Sequence, residues 1–253
     1  MSGYGVFLRK ELQEHIRTFK FYGVVLMAAV LGLMSPLLAK LTPQLLGSMS
    51  GELTIEIPDP TAIDAYGQFF SNVGQIAFLA ILLIAAGVIA SEMRKGTASL
   101  VLTKRLGRPA FVLAKYTAWA GTWTVSYALG AVLCLVYTMI LFPDWAVPQA
   151  FVPLVGYWLY GLLLLAGAVF SSALFKNFSL SALGGVGIWG ILGISSLLKF
   201  VKNATPQALV SRLGEFLAGA AGWKAFLLPA CVCLVFIVAL LWGAAFVLKK
   251  KEI

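Results

Sequence analysis

The chain has 253 residues, of which 60% are hydrophobic and only 11% charged, and it carries a net charge of +9. Ordinary soluble domains carry about 25% charged residues, so this composition excludes a water-soluble globule. The positive balance does not point to nucleic acid, because the basic residues sit beside the ends of apolar runs.

Six long apolar stretches are separated by charged or Pro-rich breaks. In lipid the backbone must satisfy its own hydrogen bonds, so each stretch is expected to be a helix, and roughly 20 apolar residues cross the hydrocarbon core. The sequence therefore predicts an all-α integral membrane protein, a single transmembrane domain over 1–253, with spans at about 21–41, 69–90, 116–142, 151–175, 180–198 and 226–248. Twenty mostly charged and polar residues precede the first run, which reads as a retained signal anchor rather than a cleaved leader.

Before the first span, residues 4–20 form an amphipathic segment. Leu8, Leu12, Ile16 and Phe19 make its apolar stripe, and Arg9, Lys10, Gln13, Glu14, Arg17 and Lys20 take the other side. An interfacial helix near anionic head groups is expected. His15 is the single histidine, has no local metal partner, and reads as a surface residue. Span one is expected to end near Pro36, Lys40 and Pro43. In the following acidic loop, 42–68, the run Ile57-Pro58-Asp59-Pro60 must be extended, because proline disfavours helix in the residue before it. Thr61 and Asp64 form a capping box, so a short helix starts there and feeds span two.

The connection at 91–113 is the most charged stretch of the chain. Leu100, Val101, Leu102 and Leu106 interrupt its cations. A solvated turn that only enforced topology would gain nothing from that apolar run, whereas a docking surface explains both features. Beyond it, Trp119, Trp123, Trp145, Tyr157, Trp158 and Tyr160 read as interfacial belts. Span five is short and rich in glycine at Gly184, Gly185, Gly187, Gly190 and Gly193, which suits close helix packing in lipid. Residues 199–225 begin with Thr205-Pro206, a helix-start pattern. Leu209, Val210, Leu213, Phe216 and Leu217 follow at helical spacing, so an external re-entrant or interfacial helix that does not span is expected. Lys249-Lys250-Lys251 ends span six. Cys134, Cys231 and Cys233 lie in spans and read as buried, unpaired small residues, and no metal site is expected.

Placing the N-terminus inside puts 14 basic residues inside and 5 outside, as the positive-inside rule requires. Both termini are thus expected in the cytoplasm. Chemistry is scarce. No acid lies deep in a span, which weighs against a proton or sodium relay. No Gly-Lys pair occurs, so no phosphate loop exists and the chain is not expected to be an enzyme.

The order of elements, together with Glu92-Met93-Arg94-Lys95-Gly96-Thr97, Leu100, Leu102, Arg108 and Lys115-Tyr116, resembles the membrane subunit of type 2 ATP-binding-cassette (ABC) exporters. The chain departs from that family's pattern at Ser99, where an acid is common, and at Arg105, where proline is common. The resemblance implies that 91–108 is a coupling segment docking a separate cytoplasmic ABC ATPase. Glu92, Arg94, Lys95, Gly96, Thr97, Leu100, Leu102 and Arg108 would make the contacts. It further implies pairing with a second permease copy or a homologous permease, ATP and Mg bound by the partner rather than by this chain, and a bacterial cell membrane. The alternative is a non-transporting scaffold or assembly factor that recruits a cytoplasmic partner. A membrane enzyme or a proton-coupled carrier is a more distant third.

Overall fold

A computed structural model describes residues 3–49, 59–94, 96, 107–143, 147–196 and 203–251. Among these residues the secondary structure is helical: α1 (Gly3–Arg17), α2 (Lys20–Met49), α3 (Ala62–Asn72), a π-helical turn (Val73–Ala77), α4 (Phe78–Ala85), α5 (Ala90–Arg94), α6 (Arg108–Leu141), α7 (Val147–Leu174), α8 (Phe178–Ser195), α9 (Ala208–Ser211), α10 (Leu213–Leu217) and α11 (Trp223–Lys250). Six helical stretches are long and apolar enough to cross a membrane, beginning at Lys20, Ala62, Arg108, Pro148, Phe178 and Trp223. At a rise of about 1.5 Å per residue, α6 is about 51 Å long. It must therefore tilt or protrude beyond a core of roughly 30 Å.

α2 and α6 meet backbone to backbone. A Cβ added at Gly32 would collide with the Gly130 carbonyl oxygen, and one at Gly130 would lie 2.6 Å from the Ala28 oxygen. Ala28 and Gly32, one turn apart, let the two backbones touch. Helix association in lipid depends on such packing, since lipid tails are as apolar as leucine. The membrane-crossing stretch of α2, Lys20–Gln44, ends beside Pro43 as expected, while the helix itself runs through Pro36 and Pro43 to Met49. Each proline removes one intrahelical donor, yet lipid offers the chain no better partner, and packing on α6 and α3 keeps the helix continuous.

Span two is broken twice. The Thr61–Asp64 capping box starts α3 as expected, with the Thr61 amide donating to Asp64 Oδ2 at 2.8 Å. The π-helical turn at Val73–Ala77 then follows. Polar side chains lie at and within it: Asn72 donates to Ser35 Oγ at 2.9 Å, and Gln75 donates to Ser71 Oγ at 2.9 Å. A second break, a run of turns at 86–89, separates α4 from α5. There the amides of Ile89 and Ala90 both donate to Ser172 Oγ of α7, at 2.9 and 3.0 Å. A single hydroxyl thus satisfies two donors that the break leaves without helical partners.

Aromatic residues are placed differently from the belts expected. Trp119, Trp123, Tyr157 and Tyr160 are buried, and Phe78 and Phe70 link Trp123, Tyr157 and Tyr160 in one internal cluster. Trp123 Nε1 donates to the Trp158 carbonyl at 3.1 Å, and Tyr127 to that of Leu154 at 2.9 Å. An aromatic side chain that reaches an acceptor within the bundle has no need of the membrane interface. Trp145 lies outside the described residues. Of the cysteines, Cys134 and Cys233 are buried but Cys231 is exposed, because residues two apart on a helix face different ways.

The glycines of α8 divide into two sets. Gly184 lies against Ser171 and Phe175, and Gly185 lies near Leu82 and Ala168, whereas a Cβ at Gly187, Gly190 or Gly193 would meet nothing within 4 Å among the described residues. Between α8 and α11 the connection carries two short helices rather than one, broken at Arg212 (φ −95°, ψ 21°). Leu209, Phe216 and Leu217 anchor it on the bundle as buried residues, and it does not span.

The α2–α6 contact sets one expectation. Gly130→Val should force the two backbones apart and destabilise the fold by about 1–3 kcal/mol. Thermal unfolding of the detergent-solubilised protein measures this, and an unchanged melting temperature would contradict the close approach.

Candidate functional site: an ion cluster at the basic end

One end of the bundle gathers α1, α5 and the first two turns of α6. The side chains that α1 turns toward the protein are Phe7, Glu11 and His15, one turn apart. Its apolar residues Leu12 and Ile16 are exposed, as is Phe19 just beyond its end, and Leu8 is half-buried. Arg9, Lys10, Gln13 and Arg17 are exposed as well, so α1 buries one narrow face on which Glu11 finds its partner, as a buried charge requires.

The centre of the site is Lys115, 2% exposed. Its ammonium donates to Glu11 Oε2 at 3.0 Å and to Glu92 Oε1 at 2.8 Å. Lys10 lies 3.0 Å from Glu11 and from Glu14 and 3.7 Å from Glu92, and Lys20 lies 3.9 Å from Glu14. The Lys115 ammonium also stands 5.2 Å from the Phe111 ring centroid and 5.7 Å from that of Phe7, where aromatic faces favour a cation. The carboxylates of Glu11, Glu14 and Glu92 lie within 4.8 Å of one another. That spacing could suit a divalent ion, but Lys10 and Lys115 already neutralise the acids, which makes the set a poor cation trap. What the arrangement does chemically is bind three helices together by charge.

The network leaves its mark on proton affinities. Burial pulls Lys10 down, but its hydrogen bonds and charge contacts with Glu11, Glu14 and Glu92 outweigh this and raise its pKa. Burial pushes Glu14 up, yet Lys10 above all holds it below the usual carboxylate value. His15 is pushed down to about 4, first by burial and then by the Lys20 charge.

His15 is not the surface residue expected. It is 3% exposed, its ring lies 4.4 Å from Trp119, and Nδ1 is 3.1 Å from Thr122 Oγ1. The Thr122 hydroxyl donates to the Ala118 carbonyl, so it accepts a hydrogen bond from His15 Nδ1–H. The neutral ring therefore acts as the donor here, and Trp119 closes the site against water.

The residues expected to dock a partner separate in space. Glu92 turns its carboxylate inward to Lys115. Arg94 is exposed, and Gly96 adopts a left-handed conformation (φ 70°), which favours glycine. Arg108, at the start of α6, donates to the Lys249 carbonyl at the end of α11. Lys95, Thr97, Leu100 and Leu102 lie outside the described residues. Sequence reasoning missed Glu11, Lys10 and the role of Lys115. The available signal was a lysine set into the apolar start of a span, which is a functional-site hypothesis by default. Lys251 was also missed, although it closes the C-terminus of α7 by donating to the carbonyls of Ala173 and Leu174.

Comparison with known proteins adds one relative. The chain is 20% identical over 184 residues, 72% of this chain and 71% of the other, to the uncharacterized transmembrane protein YxlG of Bacillus subtilis. No protein-family profile matches the chain. Together with the six apolar helical stretches, this makes the molecule a multi-pass transmembrane protein.

Two predictions arise from the cluster. Removing one partner of a buried ion pair costs about 3–5 kcal/mol, so Lys115→Met should strongly destabilise the protein. Adding Glu11→Gln to that variant should recover part of the loss, whereas simple additivity in thermal unfolding would contradict the pairing. For His15, the folded state favours the neutral ring. Its contribution to stability is therefore complete above the ordinary pKa near 6.5 and is lost as pH falls toward 4. The wild type should lose more melting temperature than His15→Gln between pH 7 and pH 4.5, and parallel curves would contradict this.

Proposed function

We propose that the chain is the membrane-spanning permease subunit of an ATP-driven ABC transporter of the type 2 exporter class, in a bacterial cytoplasmic membrane with both termini inside. It would act as a dimer with a second copy or a homologous permease. The segment 91–108 would dock a separate ABC ATPase, which supplies ATP and Mg binding because this chain has no phosphate loop.

The observation that carries this reading is the position of the ion cluster in the chain. Glu92 lies at the very start of the segment and Lys115 two turns beyond its end, and Lys115 holds both Glu92 and Glu11. A force applied to the segment by a bound motor would pass through a buried, charge-locked joint into α1, α5 and α6 together. α6 in turn is in backbone contact with α2, so the push reaches the membrane-crossing bundle as one body. A loop that served topology alone would need no such joint at its roots. The helix breaks of span two, at the π-helical turn and at 86–89, supply places where that span can flex.

The experiment is the double substitution Leu100→Asp and Leu102→Asp, which places charge in the apolar centre of the segment. It should abolish co-purification of the cognate ATPase from native membranes while leaving insertion intact. Retention of the ATPase by the double variant would overturn the docking assignment. ATPase binding in reconstituted vesicles that never stimulates substrate-dependent ATP hydrolysis would favour the scaffold instead.

A further inference from the structure

On the outer side of the bundle, at the same basic end, α6 and α11 enclose a cavity of about 850 Å³. Its walls are Leu113 and Pro109 on one side and Val238, Leu241, Trp242, Ala245 and Phe246 on the other. A second, shallower hollow of about 460 Å³ shares Val238 and Trp242 with the first and extends to Leu234. The two form one groove along α11. From Lys249 to Leu234 is fifteen residues, about 22 Å of helix, which exceeds the roughly 15 Å of hydrocarbon in one leaflet.

The groove is chemically asymmetric. Along its length it is apolar. At its mouth stand Arg108 and Lys249, with the Lys250 ammonium 4.7 Å from the Phe246 ring centroid. Among the described residues lining it there is no Asp or Glu. The Trp242 and Phe246 rings lie near-parallel at 5.9 Å and make a flat wall, and Trp242 is 72% exposed. A long apolar slot with cations at its mouth is complementary to an amphiphile with a hydrocarbon tail and an anionic head. It does not suit a second copy of this chain. Two parallel copies related by a two-fold axis would bring the Arg108 and Lys249 clusters together at the same depth and repel one another.

We propose that this groove is a binding site for an anionic phospholipid of the leaflet at the basic end, with one acyl chain along Val238 and Trp242 and the phosphate held by Arg108 and Lys249. Such a lipid bridges the start of α6 to the end of α11, the junction that Arg108 already makes by donating to the Lys249 carbonyl. Lipid occupancy therefore stiffens the helix that leads out of the 91–108 segment. The inference stands apart from the transporter reading, because its test uses this chain alone.

The test is tryptophan quenching by brominated lipids in nanodiscs of the full chain, with brominated phosphatidylglycerol titrated against brominated phosphatidylcholine. The Trp242 component is isolated by comparison with Trp242→Phe. The anionic lipid should quench that component at a much lower mole fraction than the zwitterionic one. Lys249→Gln and Arg108→Gln should each weaken this preference by on the order of five-fold. Ala245→Phe, which fills the slot without touching charge, should weaken quenching by both lipids. Equal quenching by the two lipids in the wild type would overturn the proposal. So would protection of Trp242 from both lipids together with Ala245→Cys cross-linking to itself, the signature of a second copy covering the groove.

Discussion

The constraint on which this structure rests is that lipid supplies no hydrogen bonds. Each backbone or charged group that leaves the regular helical pattern must be answered from within the protein. Three such departures among the described residues show how the protein answers them. Where span two unwinds at 86–89, Ser172 accepts from two amides. Where α7 ends, Lys251 donates to two carbonyls. Lys115, carried into the apolar start of α6, meets Glu11 and Glu92. The last case matters most, because an ammonium in that position without both acids would not tolerate burial.

This constraint also organises the two ends of the molecule differently. The end with Thr61, α9 and α10 is closed by a capping box, by apolar anchors and by the Arg212–Glu215 pair. The other end concentrates cations, and they fall into two sets. Lys10, Lys20 and Lys115 are balanced by Glu11, Glu14 and Glu92 and lock helices together. Arg108 and Lys249 stand at the mouth of an apolar groove that, among the described residues, no acid lines. One set makes a joint, and the other leaves positive charge at the mouth of the groove.

The sequence made the spans legible because length and hydropathy decide them, and Thr61 with Asp64 because capping is local chemistry. What it concealed was non-local. Glu11 and Lys115 lie 104 positions apart, and nothing in either neighbourhood names the other. The apolar stripe of α1 was visible, but its direction was not: Leu12 and Ile16 are exposed while Glu11 and His15 point in. Pro36 and Pro43 read as the end of span one, and the helix that carries the span continues past them to Met49. Trp123 resembled a belt residue, because a sequence shows the amphipathic ring but not the acceptor that its tip will find inside. Of the residues expected to contact a partner, Glu92 is held by Lys115 and Arg108 by the end of α11, and both roles depend on elements far along the chain.

The central claim is that six crossings bring both tails and the ion cluster to a single, cytoplasmic end. Labelling of single cysteines in intact cells with a membrane-impermeant reagent measures it most directly. Positions 18 and 250 should react only after the membrane is opened, and positions 59 and 203 should react from outside. Labelling of position 18 or 250 in intact cells, with 59 and 203 protected, would contradict the orientation and, with it, the docking of any cytoplasmic motor.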